Sequence, residues 1–286
     1  MNLLDHIRRC NAHDLTRFVP WFIGTGRAGY VRPALAKRLR DFPDVFETGV
    51  AGLMLLPSLR TPSERTAALE NVLAKLREDG IGSPQRLEPY AVIERVGGPP
   101  LMTIDRGAAS AFGIISTGFH MNGTGGGGSA GLTMWIARRA LTKMTFPGQL
   151  DNIVAGGQPA ALSVAENVLK ECQEEANIPA GLARLARPVS LISYTMEVEG
   201  GLRRHAMYVY DLELPARFQP QPFDGEVESF QLLPIGEVAE IVRSSLDGFK
   251  FNCNLVVIDF LIRHGLIYPD DPDYFALVTG LRGAIP

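Results

Sequence analysis

Glu171, Glu174 and Glu175 stand at i, i+3 and i+4 near the end of the segment GGQPAALSVAENVLKECQEEANI, residues 156–178. On a helix each residue turns by about 100°, so the three carboxylates share one face. Like charges so placed repel by roughly 0.2–0.5 kcal/mol per pair. A fold tolerates that on a solvated face, or uses it to hold a hard cation. The solvated face is the plainer reading of three glutamates alone. Two neighbours favour the cation. Val168, Leu169, Cys172 and Ala176 give the helix an apolar side, so the carboxylates border a core. The helix is entered from Gly156 and Gly157, where backbone carbonyls can approach an ion closely. Oxygen ligands of this kind suit Mg²⁺ or Mn²⁺, and no His/Cys set is spaced for zinc.

These residues need a helix and flanking strands to position them. Ser163 is a good N-cap, with Glu166 as the reciprocal partner of a capping box, for a helix over about 164–176. FGIISTGFHMN and LTMWIARRA read as strands joined by a loop over residues 123–131. PVSLISYTMEV and RHAMYVYDLEL read as a hairpin turning at Glu199-Gly200-Gly201, and SFQLLP as a short strand. Residues 236–246 and 254–264 are expected to be helical. Upstream, residues 5–18 are amphipathic and expected to be helical, and VPWFI and VAGLMLLP are strand-like. Thr61-Pro62-Ser63-Glu64 starts a helix that carries Leu69, Val72, Leu73 and Leu76 and ends at Gly80. A break at 97–103 suggests two units, an N-terminal α/β domain over 1–110 and a second domain over 111–286.

The 286 residues are 46% hydrophobic and 21% charged, enough for a real core. A net charge of −3 shows no basic excess for nucleic acid. No apolar run reaches ~18 residues, so no membrane span is expected. The first fifteen residues have no continuous apolar stretch of the signal-peptide kind. Cys10, Cys172 and Cys253 are scattered and odd in number, which suits a reducing, cytoplasmic setting.

Lys170 to Ile178, KECQEEANI, resembles the second half of the Nudix hydrolase signature, G-x5-E-x7-R-E-U-x-E-E-x-G-U with U aliphatic. The first half departs from it. Leu162 stands where the first Glu is expected, and the loop from Gly157 is one residue short. Lys170 replaces Arg, which keeps the charge without the bidentate fork. Asn177 replaces Gly, a mild change at a helix C′ position. FGIISTGFHMNG, MWIARRALTKMTFPGQLDNIVAGGQ and Asp224–Pro234 (DGEVESFQLLP) are similar to one branch of that family. The branch is related to thiamine pyrophosphokinase proteins and carries its own N-terminal domain.

The resemblance implies an α/β fold: a Nudix α/β/α sandwich with a mixed sheet plus a small N-terminal α/β domain. It implies Mg²⁺- or Mn²⁺-dependent hydrolysis of a small-molecule organic diphosphate, with thiamine diphosphate or its oxidised analogues as the substrate class. Glu171, Glu174 and Glu175 fall on the metal-binding positions, with the Gly156 or Gly157 carbonyl as a further ligand. Glu171 or Glu175 would activate water, and Glu226 or Glu228 would supply a later carboxylate. Arg138, Arg139, Lys143 and His120 are candidates for substrate binding. Strand alternation puts Arg138 and Arg139 on opposite faces, so at most one points at the site. Dimers are common in the family, so a homodimer is an expectation.

Leu162, Lys170 and Asn177 also keep open a non-catalytic reading, a Nudix-like fold that senses a ligand. Gly24–Gly29 and Gly123–Gly128 both satisfy G-x-G-x-x-G. A dinucleotide fingerprint needs a helix directly after the glycines. Tyr-Val-Arg-Pro follows the first and a Trp-containing strand the second, so both read as turns. Trp21 and Trp135 have apolar neighbours and are assigned to packing.

Overall fold

The computed structural model describes residues 2–82, 84–125 and 131–286. Its first part runs α1 (Leu4–Cys10), β1 (Val19–Ile23), β2 (Gly26–Val31), α2 (Pro33–Leu39), β3 (Phe46–Thr48), β4 (Leu53–Leu55), α3 (Pro62–Glu78), β5 (Pro89–Val92) and β6 (Met102–Asp105). The first four strands form a sheet in the order β2-β1-β4-β3, and β5 pairs antiparallel with β6. Trp21, Leu39, Leu69, Val72 and Phe112 are buried in this unit's core. The helix start at Thr61 is a full capping box: Glu64 N–H donates to Thr61 Oγ1, and Thr61 N–H to Glu64 Oε2.

The second part runs β7 (Ile115–Gly125), β8 (Thr133–Arg139), β9 (Leu150–Asp151), β10 (Val154–Gly157), α4 (Val164–Ala176), α5 (Ala180–Ala183), β11 (Arg187–Val198), β12 (Gly201–Leu214), β13 (Val227–Pro234), α6 (Ile235–Ser244), α7 (Phe251–Arg263) and α8 (Tyr274–Gly280). Its sheet has the order β11-β12-β7-β8-β13, with β10 added to β7 and β9 to β8. β12 runs parallel to β7 and the other pairings are antiparallel, so the sheet is mixed. One face packs Phe119 and Met121 of β7 against Val168, Cys172 and Ala176 of α4. The other packs Met207 and Val209 of β12 against α6 and α7. The result is an α/β/α sandwich. Among the described residues, no helix is long and apolar enough to cross a membrane.

The differences from the sequence reading have local causes. The helix expected over 5–18 stops at Cys10, and Asp14 caps a separate 3₁₀ turn at Leu15–Arg17 by accepting from Thr16 N–H. α1 belongs with the second part's core, where Leu3, Ile7 and Cys10 meet α7. VAGLMLLP shortens to three strand residues because Gly52 takes φ +151°. A helix does follow Gly29, but only after β2, and it starts on Pro33 at its first turn. The first glycine pattern is therefore a hairpin: Gly24 supplies φ +60° in the turn, and Gly29 lies against Trp21 and the Phe112 carbonyl. Of the loop expected over 123–131, residues 123–125 extend β7, and residues 126–130 lie outside the described residues.

Candidate active site

α4 is built as its caps require. Glu166 N–H donates to Ser163 Oγ at 3.3 Å, and Ser163 N–H donates to Glu166 Oε2 at 2.8 Å. At the other end Asn177 takes the left-handed conformation (φ 51°, ψ 35°), so its replacement of Gly is accommodated. Gln158 Nε2 braces the short entry loop by donating to the Pro159 and Leu162 carbonyls.

The three glutamates differ in depth. Glu175 is 9% exposed and accepts from Ala155 N–H of β10 at 2.9 Å. Glu171 packs over Gly156, where an added Cβ would lie 2.6 Å from Glu171 Cγ. Glu174 is half-exposed. Lys170 Nζ spans the pair, 3.2 Å from Glu171 Oε1 and 2.6 Å from Glu174 Oε2. Burial opposes the Lys170 charge, but its hydrogen bond to Glu174 and the charge of Glu171 hold its pKa above the ordinary lysine value.

Burial pushes the Glu175 pKa well above the usual carboxylate range. The Ala155 hydrogen bond opposes this, and the charges of Asp151, Glu171 and Glu226 add to it. Burial also raises Glu171, against the nearby Lys170. Desolvated carboxylates that repel one another are stabilised in ionised form by a cation, and an all-oxygen set fits a hard divalent one. The glutamates are not drawn together as they would be around an ion. Among the described residues, only His120, Asp151 and Cys253 bring ligand atoms within 4.8 Å of one another. That trio is a poor cation site, because Asp151 already pairs with Arg139 at 2.9 Å and Lys250 at 3.5 Å.

The later loop separates its two candidates. Glu226 pairs with Lys143 and lies near enough to Glu175 to raise its pKa. Burial would raise Glu226 itself, but Lys143, then Arg106 and Arg139, bring it below the ordinary value. Glu228 is exposed at the bulge where β13 shifts register against β8. Arg138 Nη1 donates to the Gly148 carbonyl.

Two of the expected substrate contacts are interior residues. Arg139 donates from Nε to Phe146 O, from Nη1 to Asp151 Oδ2 and from Nη2 to Thr145 O, so its guanidinium is spent on its own loop. His120 is 4% exposed on the α7 side of the sheet. It contacts Asn152 Oδ1 and Asn252 Nδ2, and burial lowers its pKa to about 4. Strand alternation set Arg138 and Arg139 on opposite faces but gave no depth. The Gly157 carbonyl already accepts from Asn167 Nδ2 at 2.8 Å, so one of its lone pairs is taken.

The first part of the chain also reaches this site, which no sequence signal indicated. Ala160 N–H donates to Pro89 O at 2.8 Å, docking β5 against the turn after β10. Tyr90 is buried there, and a Cβ built on Gly157 would overlap its hydroxyl. Gly157→Ala therefore forces a ring held in a core to move. Overpacking of this kind costs about 1–3 kcal/mol. Denaturant melts should show that loss, and it should shrink in a Tyr90→Ala background; an equal loss in both backgrounds would place the strain elsewhere.

Comparison with known proteins agrees with this geometry. Residues 2–116 match a family model described as a domain of unknown function (DUF4743). Among solved structures the chain is similar to a Deinococcus radiodurans protein at TM-score 0.45 and 19% identity, covering 59% of this chain and 97% of that one, a likeness too partial to add to the assignment. Nudix hydrolase 20 of Arabidopsis thaliana is 38% identical over 289 residues, covering 97% of this chain and 77% of its own. Nudix hydrolase 24 of the same plant is 41% identical over 283 residues, covering 98% of this chain and 77% of its own. With whole-chain identity at that level, the chain belongs to the Nudix hydrolase family.

Proposed function

We propose that the chain hydrolyses an organic diphosphate with the help of Mg²⁺ or Mn²⁺. The observation that carries this reading is Glu175, a buried carboxylate that accepts from Ala155 N–H beside Gly156 and whose pKa the charges of Asp151, Glu171 and Glu226 raise further. Glu171, Glu174 and Glu175 are the residues that would hold the cation. Once bound, the cation would neutralise the diphosphate and make water a better nucleophile.

The rest follows from the chain's own groups. Lys170 lies between Glu171 and Glu174, so it must turn away when a divalent ion arrives. It can then meet a phosphate oxygen. Glu226, kept ionised by Lys143, is the loop carboxylate we assign beside the helix glutamates. The loops that carry this pair expose Leu141, Met144 and Phe223, an apolar rim for the organic end of a substrate. Thiamine diphosphate and its oxidised analogues, which carry an aromatic body on a diphosphate, are the substrates we place first.

The test is a panel of organic diphosphates, these included, assayed with Mg²⁺ or Mn²⁺ by release of phosphate or monophosphate. Glu174→Gln, at a half-exposed position, should lower turnover about 10- to 100-fold without loss of fold. A wild-type protein that cleaves no member of the panel defeats the proposal. Tight calorimetric binding without turnover would instead support a ligand sensor.

A further inference from the structure

We propose that Arg106, carried by the N-terminal part of the chain, binds the phosphates of the substrate at the glutamate site. The inference rests on the diphosphate-hydrolase reading and assigns to the N-terminal domain a direct role in that site.

A continuous set of contacts carries it. Arg106 begins the 3₁₀ turn after β6 and is tied twice to the residue before β5, through its N–H to Glu88 O at 2.8 Å and its Nη1 to Glu88 Oε2 at 2.6 Å. Its guanidinium carbon lies 5.8 Å from the Tyr90 ring centroid. The Tyr90 hydroxyl abuts Gly157, and Gly156 beside it lies against Glu171. Tyr90, Gly157 and Gly156 thus connect the guanidinium to Glu171.

The electrostatics agree with the placement. Burial is the largest influence on Glu226 and raises its pKa; Lys143 and then Arg106 lower it, so Arg106 and the loop carboxylate feel each other's charge. Tyr90, raised to about 12 chiefly by burial, senses Arg106, Glu88 and Glu171 together.

The Arg106 side chain is 52% exposed, and the only carboxylate it pairs with among the described residues is Glu88. Arg139 is closed off by its own loop, and Lys143 and Lys170 are held by glutamates. A planar guanidinium on a half-exposed side chain matches the bidentate geometry of phosphate oxygens. On this reading Glu88 orients Arg106 in the free protein and the diphosphate shares it in the complex.

The probe is inorganic pyrophosphate, titrated calorimetrically into the full chain with Mg²⁺, alongside kinetics on whichever organic diphosphate the wild type cleaves. Arg106→Ala should weaken pyrophosphate binding about 10- to 100-fold, as expected for charge-assisted hydrogen bonds. It should raise KM more than it lowers kcat, with Arg106→Lys recovering part of both. If Arg106→Ala fails to fold, Arg106→Lys carries the test, and it should weaken binding measurably. Wild-type pyrophosphate affinity and KM in these variants would overturn the proposal while leaving hydrolysis in place. Arg106-dependent pyrophosphate binding in a protein that hydrolyses no diphosphate would uphold Arg106 and remove the hydrolase reading.

Discussion

Glu175→Gln should raise the melting temperature of the metal-free protein at pH 8 and lower kcat by about 10²- to 10⁴-fold, the range for a catalytic carboxylate. Both effects come from one placement. Glu175 is buried, and burial is the main reason that its pKa stands well above the carboxylate range. The sign follows from linkage. A folded pKa above the unfolded one means that the folded state holds the proton more tightly. The associated stability is complete below the unfolded carboxylate value and is lost as pH rises through the folded one. Glutamine stays neutral and can still accept from Ala155 N–H, so it escapes that loss. For a chain of this size each kcal/mol relieved appears as just under about 2 °C. A divalent cation, in contrast, needs the ionised form. The thermal shift produced by Mg²⁺ should therefore keep growing as pH rises beyond the ordinary carboxylate range in the wild type and stay small in Glu175→Gln. A variant less stable than wild type at pH 8, with hydrolysis intact, would refute this account of the residue.

What could be read from the sequence followed from how locally each feature is determined. α4 was legible because its cap, apolar stripe and stop lie within one segment, and Ser163, Glu166 and Asn177 do what those residue types favour. The hairpin of β11 and β12 was legible for the same reason, with Glu199-Gly200 at its turn. β10 was not, since Val-Ala-Gly-Gly has little strand preference and is held by pairing with β7. The start of α7 was placed three residues late because nearly all of that helix is buried, which removes the amphipathic contrast. Arg139 was read as a candidate for substrate binding because alternation tells direction and not depth. Tyr90 and Arg106 carry no local sign of their position, which arises only when β5 docks on the turn after β10.

Asp151→Asn should cost about 3–5 kcal/mol of stability, the usual range when one partner of a buried ion pair is removed. The Asp151 side chain is 8% exposed and saturated. Oδ2 meets Arg139 and Lys250, and Oδ1 accepts from Asn152 N–H and the Cys253 thiol. Burial would raise its pKa, but Lys250, His120 and Arg139 together hold it below the ordinary value. The sign is opposite to that of Glu175. A depressed folded pKa gives stability that is present above the unfolded value and lost as pH falls through the folded one. The gap between wild type and Asp151→Asn should thus be full at neutral pH and close on acidification. The same substitution reaches the site. Asp151 is one of the charges that raise Glu175, and its loss leaves Arg139 and Lys250 uncompensated nearby. Both changes favour ionised Glu175, so Mg²⁺ binding should persist to lower pH in the variant that is less stable. Mg²⁺ titrations across pH on folded protein separate the two effects. An unchanged acid limb beside a large loss of stability would confine Asp151 to holding the Arg139 loop.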